Sequence, residues 1–421
     1  MVQPARSAPK VVFIARESPL NQSAGHTVFL RGFLDACVAR GADVTVLISS
    51  RRVGQVVTRH AEVPFELRAS GVVRVGPWSV VWSPAVLAQA ATWAAFRRSP
   101  PAMQRLASRL RDVWRERRGV DHVLGDYPGE RRGAWLQRQL TTIGPDALFY
   151  YTFFTHPGVD DLPAVKASYV ITVDVLSERS ASLKARGYRV VPDDLTVDVE
   201  IEALRKCGDL IAIQWDDAAR FRELLPETPV MVVPVTFPVT VRQGEPVAGR
   251  CVFVGSAALH NADGLKWFLE HCWPEIHRRV PGSSLAIYGS VTARIESPGE
   301  GVLMFGEVPS LDEAYEQAAV VVVPLRAGSG LKVKLVDAIC RGVATVTTSV
   351  GAQGLLAVEP RPFALADEPA EIVDAVVKLL TDGAERRVLE DHARAAARLF
   401  DPTTAYDELA DDMRAKGVSL T

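Results

Sequence analysis

Short apolar runs alternate with amphipathic stretches along most of this chain, the pattern of parallel strands joined by helices. Residues 11–15 (VVFIA) are continuously apolar and too short for a helix, so they read as a buried strand. A polar loop comes next over 16–25, then a helix over 27–40 that Gly41 stops. Residues 44–48 form the next strand, with further strands over 147–151, 169–172 and 210–213, and 230–233 closing the half. Pro226, Pro229, Pro234 and Pro238 punctuate the passage out of this half, which places a linker near 235–249. From Arg250 the alternation restarts: strand 250–255, helix 262–273 before Pro274, strand 284–289, a short strand 302–305 and a helix 311–318. The fully apolar strand 318–323 leads through Pro324-Leu325-Arg326-Ala327-Gly328-Ser329-Gly330-Leu331-Lys332-Val333-Lys334 into a helix closed by Gly342. Another strand, 342–348, and a glycine loop, 351–355, come next. The tail, 370–413, reads as helix with a break near Phe400 to Pro402.

Two such halves in 421 residues predict an α/β protein of two nucleotide-binding-like domains, each of about 200 residues. No repeat of solenoid period is present. The formal charge of −2 argues against bulk nucleic-acid binding. Five cysteines, Cys37, Cys207, Cys251, Cys272 and Cys340, are scattered without a Cys-x-x-Cys pair, which predicts core thiols rather than zinc or a disulfide framework. Residues 1–10 are polar, so no secretory leader is expected and a cytoplasmic location is the natural reading. The 22 residues between Arg74 and Arg97 carry no charge, but Pro77, Pro84 and Gln89 make them a poor membrane span. Next comes an arginine-rich stretch, 97–138, readable as a solvated amphipathic helix. With Trp93, Phe96 and Trp114 as anchors it is alternatively a docking face for anionic lipid, so peripheral contact with the inner membrane face through 78–118 is a second expectation.

The candidate chemistry lies in the turn after residue 323. Gly328 and Gly330 open a helix at the carboxyl end of a buried strand, where backbone N–H groups and the positive helix end make an anion site. Lys332 and Lys334 add point charges suited to a diphosphate. Asp337, one turn on, is placed to accept hydrogen bonds from sugar hydroxyls. Diphosphate plus ribose describes a nucleotide-sugar. No Asp-x-Asp loop or histidine cluster suggests a metal site, and Asp193-Asp194, Asp216-Asp217 and Asp411-Asp412 read as caps or solvated helix faces.

The stretch 324–355 as a whole resembles the donor-site signature of group 1 (family 4-like) retaining glycosyltransferases of the GT-B fold. It shares an apolar strand ending in Pro-Leu, the Gly-x-Gly-x-Lys-x-Lys turn, an acidic residue and Ala on the helix, the strand from Gly342 to Thr348, and Gly351-x-x-Gly354-Leu355. The resemblance implies two Rossmann-like domains facing across a deep cleft, with the C-terminal helix recrossing to the first. It implies an acceptor-binding domain over 1–240, a donor-binding domain over 241–400 and the returning helix over 401–421. It also implies retaining hexosyl transfer without a metal or other cofactor. The donor would be a nucleoside-diphosphate-sugar, UDP being favoured as the family's commonest choice, and the acceptor a sugar, lipid-linked or small molecule.

By the same resemblance Lys332 and Lys334 offset the leaving diphosphate, Gly328, Ser329 and Gly330 supply backbone amides, and Asp337 holds the ribose. Gly255 comes directly after the first strand of the second domain, and Glu307 with the Val308 main chain lies beside the nucleobase. In the first domain Gly25 lets the backbone approach the donor phosphate, Arg179 is a candidate acceptor contact, and His26 is either another or a plain neighbour of the helix cap. Asp174 and Arg179 match an Asp…Arg pair of related sequences. The family's histidine position holds Val173 here, and His156 is the candidate substitute. Ser329 stands where the family carries the first of two glutamates, and the segment Gly255 to Asn261 lacks the usual Arg and Lys. These departures keep open a non-catalytic GT-B homologue that binds nucleotide or a partner. Another GT-B activity, such as a sugar-nucleotide epimerase or a phosphorylase, also stays open.

Overall fold

The computed structural model of the chain describes residues 8–16, 18–19, 25–49, 57–59, 63–75, 78–81, 122–185, 187–240, 242, 244–328 and 330–420. Its first sheet has seven strands: β1 (Lys10–Ala15), β2 (Asp43–Ile48), β3 (Glu66–Ala69), β4 (Ala147–Tyr151), β5 (Ala167–Thr172), β6 (Asp209–Ala212) and β7 (Val230–Val232). They lie in the order β7-β6-β5-β4-β1-β2-β3, all parallel. The second sheet has six: β8 (Arg250–Val254), β9 (Ser284–Tyr288), β10 (Val302–Gly306), β11 (Val320–Val323), β12 (Thr345–Thr347) and β13 (Ala364–Leu365). Their order is β10-β9-β8-β11-β12-β13, again all parallel.

Helices fill the crossovers. Those of the first half are α1 (Gly25–Ala39), α2 (Glu130–Ile143), α3 (Leu176–Ala185), α4 (Val197–Arg205) and α5 (Trp215–Leu224). The second half carries α6 (Leu259–His271), α7 (Trp273–Arg279), α8 (Asp312–Gln317), α9 (Val333–Cys340) and α10 (Pro369–Thr381). The chain ends in α11 (Gly383–Ala397) and α12 (Asp407–Ala415). With helices on both sides of a parallel sheet, central strands are buried on both faces, which is why β1 and β11 read as unbroken apolar runs. Alternate strand residues serve opposite layers. Phe13, Phe149 and Tyr169 stack on one side of the first sheet, 4.5 Å and 4.8 Å between successive rings, while Val12, Leu148 and Val170 join Leu136 and Phe221 on the other. In the second sheet Phe253 and Ile287 pack with Phe268 and Trp273, and Val252, Ala286 and Val321 with Tyr315 and Ala338.

The C-terminal helix returns to the first sheet as expected. Tyr406, Leu409 and Met413 enter the core that holds Phe33 and Tyr169. The Tyr169 hydroxyl donates to Asp412 Oδ2 at 2.6 Å, and Arg40 pairs with Asp407 at 2.9 Å. Lys416 bridges Asp412 and Asp209. Arg242, in the passage between the two halves, forms a buried pair with Glu390 of α11 at 2.6 Å.

Three expectations need correction. The helix predicted over 262–273 begins earlier, at Leu259, and a second helix starts at Trp273. Pro274 does not end the run, because a proline in a first turn lacks only an N–H that has no intrahelical partner. Asp216-Asp217 and Asp411-Asp412 are not simply solvated: Asp217 is 8% exposed, and Asp412 ties α12 to Tyr169. The tail also breaks at Asp382, whose carboxylate caps α11 by accepting from Ala384 and Glu385 N–H. Residues 82–118 of the proposed membrane-docking stretch lie outside the described residues, and 78–81 pair as a strand with 72–75 and 57–59. No described helix is long and apolar enough to cross a membrane. All five cysteines are buried free thiols.

Candidate functional site

In the second sheet β8 lies between β9 and β11, so the chain's direction of progress across the sheet reverses between β8 and β11. Crossovers leave such a switch point on opposite faces, and a crevice opens beyond the carboxyl ends of the two strands. A cavity of about 800 Å³ occupies that place, lined by Gly255 and Ser256 after β8 and by Leu325 and Gly328 after β11. The first turns of α6 and α9 also line it, through His260 and Asn261 and through Val333 and Lys334. Neither helix has a side-chain cap. Two positive helix ends therefore meet at one cavity, an arrangement suited to an anion of more than one charge.

Close packing sets that geometry. A Cβ on Gly264 of α6 would lie 2.5 Å from the Pro324 carbonyl oxygen, so only glycine lets α6 sit against the end of β11. Gly328 (φ 121°) and Gly330 (φ 73°) take backbone conformations open to glycine and reverse the chain between β11 and α9. Lys332 is the N-cap of α9, with extended backbone. Its ammonium donates to Gly330 O at 2.6 Å and to Gln353 Oε1 at 3.2 Å. Lys334 donates to Asn261 Oδ1 at 2.6 Å and sits 4.8 Å from the Phe253 ring centroid. Burial pushes both lysines down from 10.5, Lys332 to about 8, where Asp174 opposes the shift, and Lys334 to about 7, where the charge of Lys332 adds to it. A bound polyanion would restore the protonated forms.

Asp337 lines the cavity, yet its carboxylate is engaged: Arg341 Nε donates to Oδ1 at 2.8 Å. Arg341 also reaches Asp312 at 2.7 Å and lies over the Tyr315 ring. Burial raises the Asp337 pKa and Arg341 works against that rise. Glu307 and Val308 line the cavity after β10, and Gly255 after β8.

The first domain reaches the same place. Asp174, at the end of β5 and 6% exposed, pairs with Arg179 at 3.4 Å, and Arg179 lines the cavity. A Cβ on Gly330 would lie 3.5 Å from Asp174 Oδ2, so this carboxylate abuts the glycine turn. Glu200, buried on α4, accepts from the Leu176 and Ser177 amides at 3.0 Å and 2.8 Å and so fixes the start of α3, which carries Arg179. His156 is not brought to the cavity. Its Nδ1 accepts from the Gly158 amide at 3.1 Å and its ring lies 5.2 Å from that of Tyr150, which makes it the holder of a local turn. Gly25 is the first residue of α1; the His26 side chain and Ser329 lie outside the described residues.

Sequence reasoning missed His260, Asn261, Arg341 and Asp217. The loop after β8 signals only lost basic residues, whereas folding places a histidine and an asparagine there. Asp217, on α5, has a buried Oδ2 without a hydrogen-bond partner, and burial with the nearby Asp174 pushes its pKa up to about 7.

Residues 248–382, which contain nearly all of this cavity, match the model of a family described as Glycosyl transferases group 1. No curated protein matches the chain. Solved structures of similar fold cover almost its whole length. Sucrose-phosphate synthase from Thermosynechococcus elongatus is 13% identical with a TM-score of 0.62, over 97% of this chain and 98% of that one. HepE from Anabaena, solved in complex with UDP and glucose, is 12% identical with a TM-score of 0.59, over 97% and 100%. WaaG, a glycosyltransferase involved in lipopolysaccharide biosynthesis, is 14% identical with a TM-score of 0.55, over 96% and 99%. The chain thus has the GT-B fold, two parallel-sheet α/β domains.

Proposed function

We propose that this protein transfers a sugar from a nucleoside-diphosphate-sugar to an acceptor, with retention at the anomeric carbon and without a metal. The carrying observation is the convergence of two uncapped helix ends and two partly desolvated lysines on one cavity at a switch point. Group 1 family similarity over 248–382 supports the donor class, and the UDP and glucose in the HepE complex favour a UDP-sugar. In this reading the diphosphate lies between α6 and α9, and Lys332 and Lys334 take up its negative charge as the glycosidic bond breaks. Charge stabilisation of this kind, in a water-poor cleft, is commonly the largest catalytic contribution. The base lies toward Glu307 and Val308, the sugar toward Asp174 and Arg179. Asp337, held through Oδ1 by Arg341, is the carboxylate offered to a ribose hydroxyl. The protein's own countercharge makes transfer without metal workable. The acceptor, a sugar, lipid-linked or small molecule, enters from the first domain.

The test is release of UDP, GDP, ADP or dTDP from the corresponding sugars in EDTA, with the product's anomeric configuration read by NMR. Turnover of one donor class to a product of unchanged configuration is expected. Turnover that EDTA abolishes, or an inverted product, would contradict the mechanism, and no release from any donor would contradict the activity.

A further inference from the structure

We infer that Asn261 is a positioning residue of the donor site, holding the Lys334 ammonium where an incoming diphosphate meets it. This rests on the donor-site reading under Proposed function. Asn261 is 4% exposed, in the first turn of α6. Its amide nitrogen donates to both the carbonyl and the hydroxyl oxygen of Ser256, each at 3.1 Å. Those two acceptors leave Oδ1 facing Lys334 Nζ at 2.6 Å. The reverse amide orientation would set NH₂ against an ammonium, donor against donor, so the partners fix the assignment.

Ser256 is itself held in place. The Ala257 amide donates to Ser290 Oγ at 3.0 Å and the Val291 amide to Gly255 O at 3.1 Å, fastening this loop to the end of β9. Support therefore runs from the β9 turn through Ser256 and Asn261 to the lysine, with the Phe253 ring as its second neighbour. One of three ammonium N–H groups is spent on Asn261, which leaves two for a ligand. The other charged or titratable groups on the cavity wall are Arg179, His260, Glu307, Tyr315, Lys332, Asp337 and Arg341. Among these, Lys332 is the one whose charge bears on Lys334, and it opposes protonation, so the asparagine oxygen is what holds the ammonium in place.

Two substitutions of similar size separate positioning from packing. In Asn261→Leu the ammonium loses its acceptor and gives up its proton more readily. In Asn261→Asp it gains a carboxylate, which keeps it protonated but competes with a phosphate. Titration calorimetry with UDP, GDP and ADP from pH 4.5 to 9.5 reads both effects, and the nucleotide's own ionisation is common to every variant. Wild-type affinity falls as pH rises past the Lys334 pKa. In the leucine variant that fall begins about one to two pH units lower, and affinity at pH 7.5 is roughly 10- to 100-fold weaker, the scale of one hydrogen bond to a charged group. In the aspartate variant the fall begins at higher pH, with affinity at pH 6 reduced about tenfold. Opposite displacements establish the role. Profiles that coincide with wild type, or that both move the same way, overturn it. Melting curves check folding; if the leucine variant does not fold, the aspartate profile decides alone, an unmoved profile overturning the inference. Wild type that binds none of the three nucleotides would instead refute the donor-site reading, and this inference with it.

Discussion

Lys334→Met should make the nucleotide-free protein more stable at pH 6 while destroying nucleotide binding. Lys334 is charged at pH 6 in the folded state, although burial holds its pKa near 7 rather than 10.5. That depression corresponds to at most about 5 kcal/mol of unfavourable charging. A folded-state pKa below the unfolded one means the penalty is complete below pH 7 and is relieved as pH rises toward 10.5. Methionine fills similar volume beside Phe253 and carries no charge, but it leaves Asn261 Oδ1 without its donor, which costs about 1–3 kcal/mol. The net gain at pH 6 is then about 2–4 kcal/mol. At pH 9 the lysine is mostly neutral and roughly 2 kcal/mol of the penalty remains, so the advantage falls to near zero. Calorimetric melts of both proteins at pH 6 and pH 9, each with and without UDP, read all four quantities. A variant less stable than wild type at pH 6, or one whose difference does not change with pH, would rule out a charging penalty at this lysine. A variant that UDP still stabilises would rule out its role in binding. Stability gained as function is lost is the expected behaviour of a site strained to hold a ligand.

Asp217→Asn should be neutral near pH 3.5 and stabilising at pH 8 by at most a few kcal/mol, because a carboxyl raised to about 7 loses stability as pH climbs from 3.8 through 7; a difference between the melts that ignores pH would contradict this. Gly264→Ala should destabilise by about 1–3 kcal/mol and weaken nucleotide binding, since the added methyl forces α6 away from Pro324; unchanged denaturant midpoint and affinity would contradict it. His156→Ala should leave the Kd for nucleotide unchanged within about twofold, because the ring lies outside the cavity; a large loss in calorimetry would place it in the donor site after all.

The buried parallel strands were the most legible part of this chain, because both faces of β1, β8 and β11 are covered and their sequences have nothing to alternate. The glycine turn was legible too, since Gly328 and Gly330 take the positive-φ backbone that reverses the chain into α9. Side-chain commitments were not. Asp337 reads as a free acceptor until Arg341, one helical turn on, takes one of its oxygens. Asn261 and Ser256 are ordinary letters in a loop until the fold closes a bond from one and to the other. Asp217 looks solvated beside Asp216, because a first-turn aspartate usually caps a helix, yet it is 8% exposed and lies near Asp174 and Lys332. His156 shows the converse: a histidine at a strand end suggests chemistry, but here a nearby glycine amide donates to its ring nitrogen.

Whether the glycine-lysine turn is a diphosphate site is decided by titration calorimetry of UDP, GDP, ADP and dTDP against wild type and Lys332→Ala/Lys334→Ala, all in EDTA at pH 6.5. One diphosphate should bind wild type in the absence of metal, and the double variant, still folded by its melt, should bind it at least about 100-fold more weakly. Wild type that binds none of the four, or a double variant that binds as tightly as wild type, would contradict a donor site built on these two lysines.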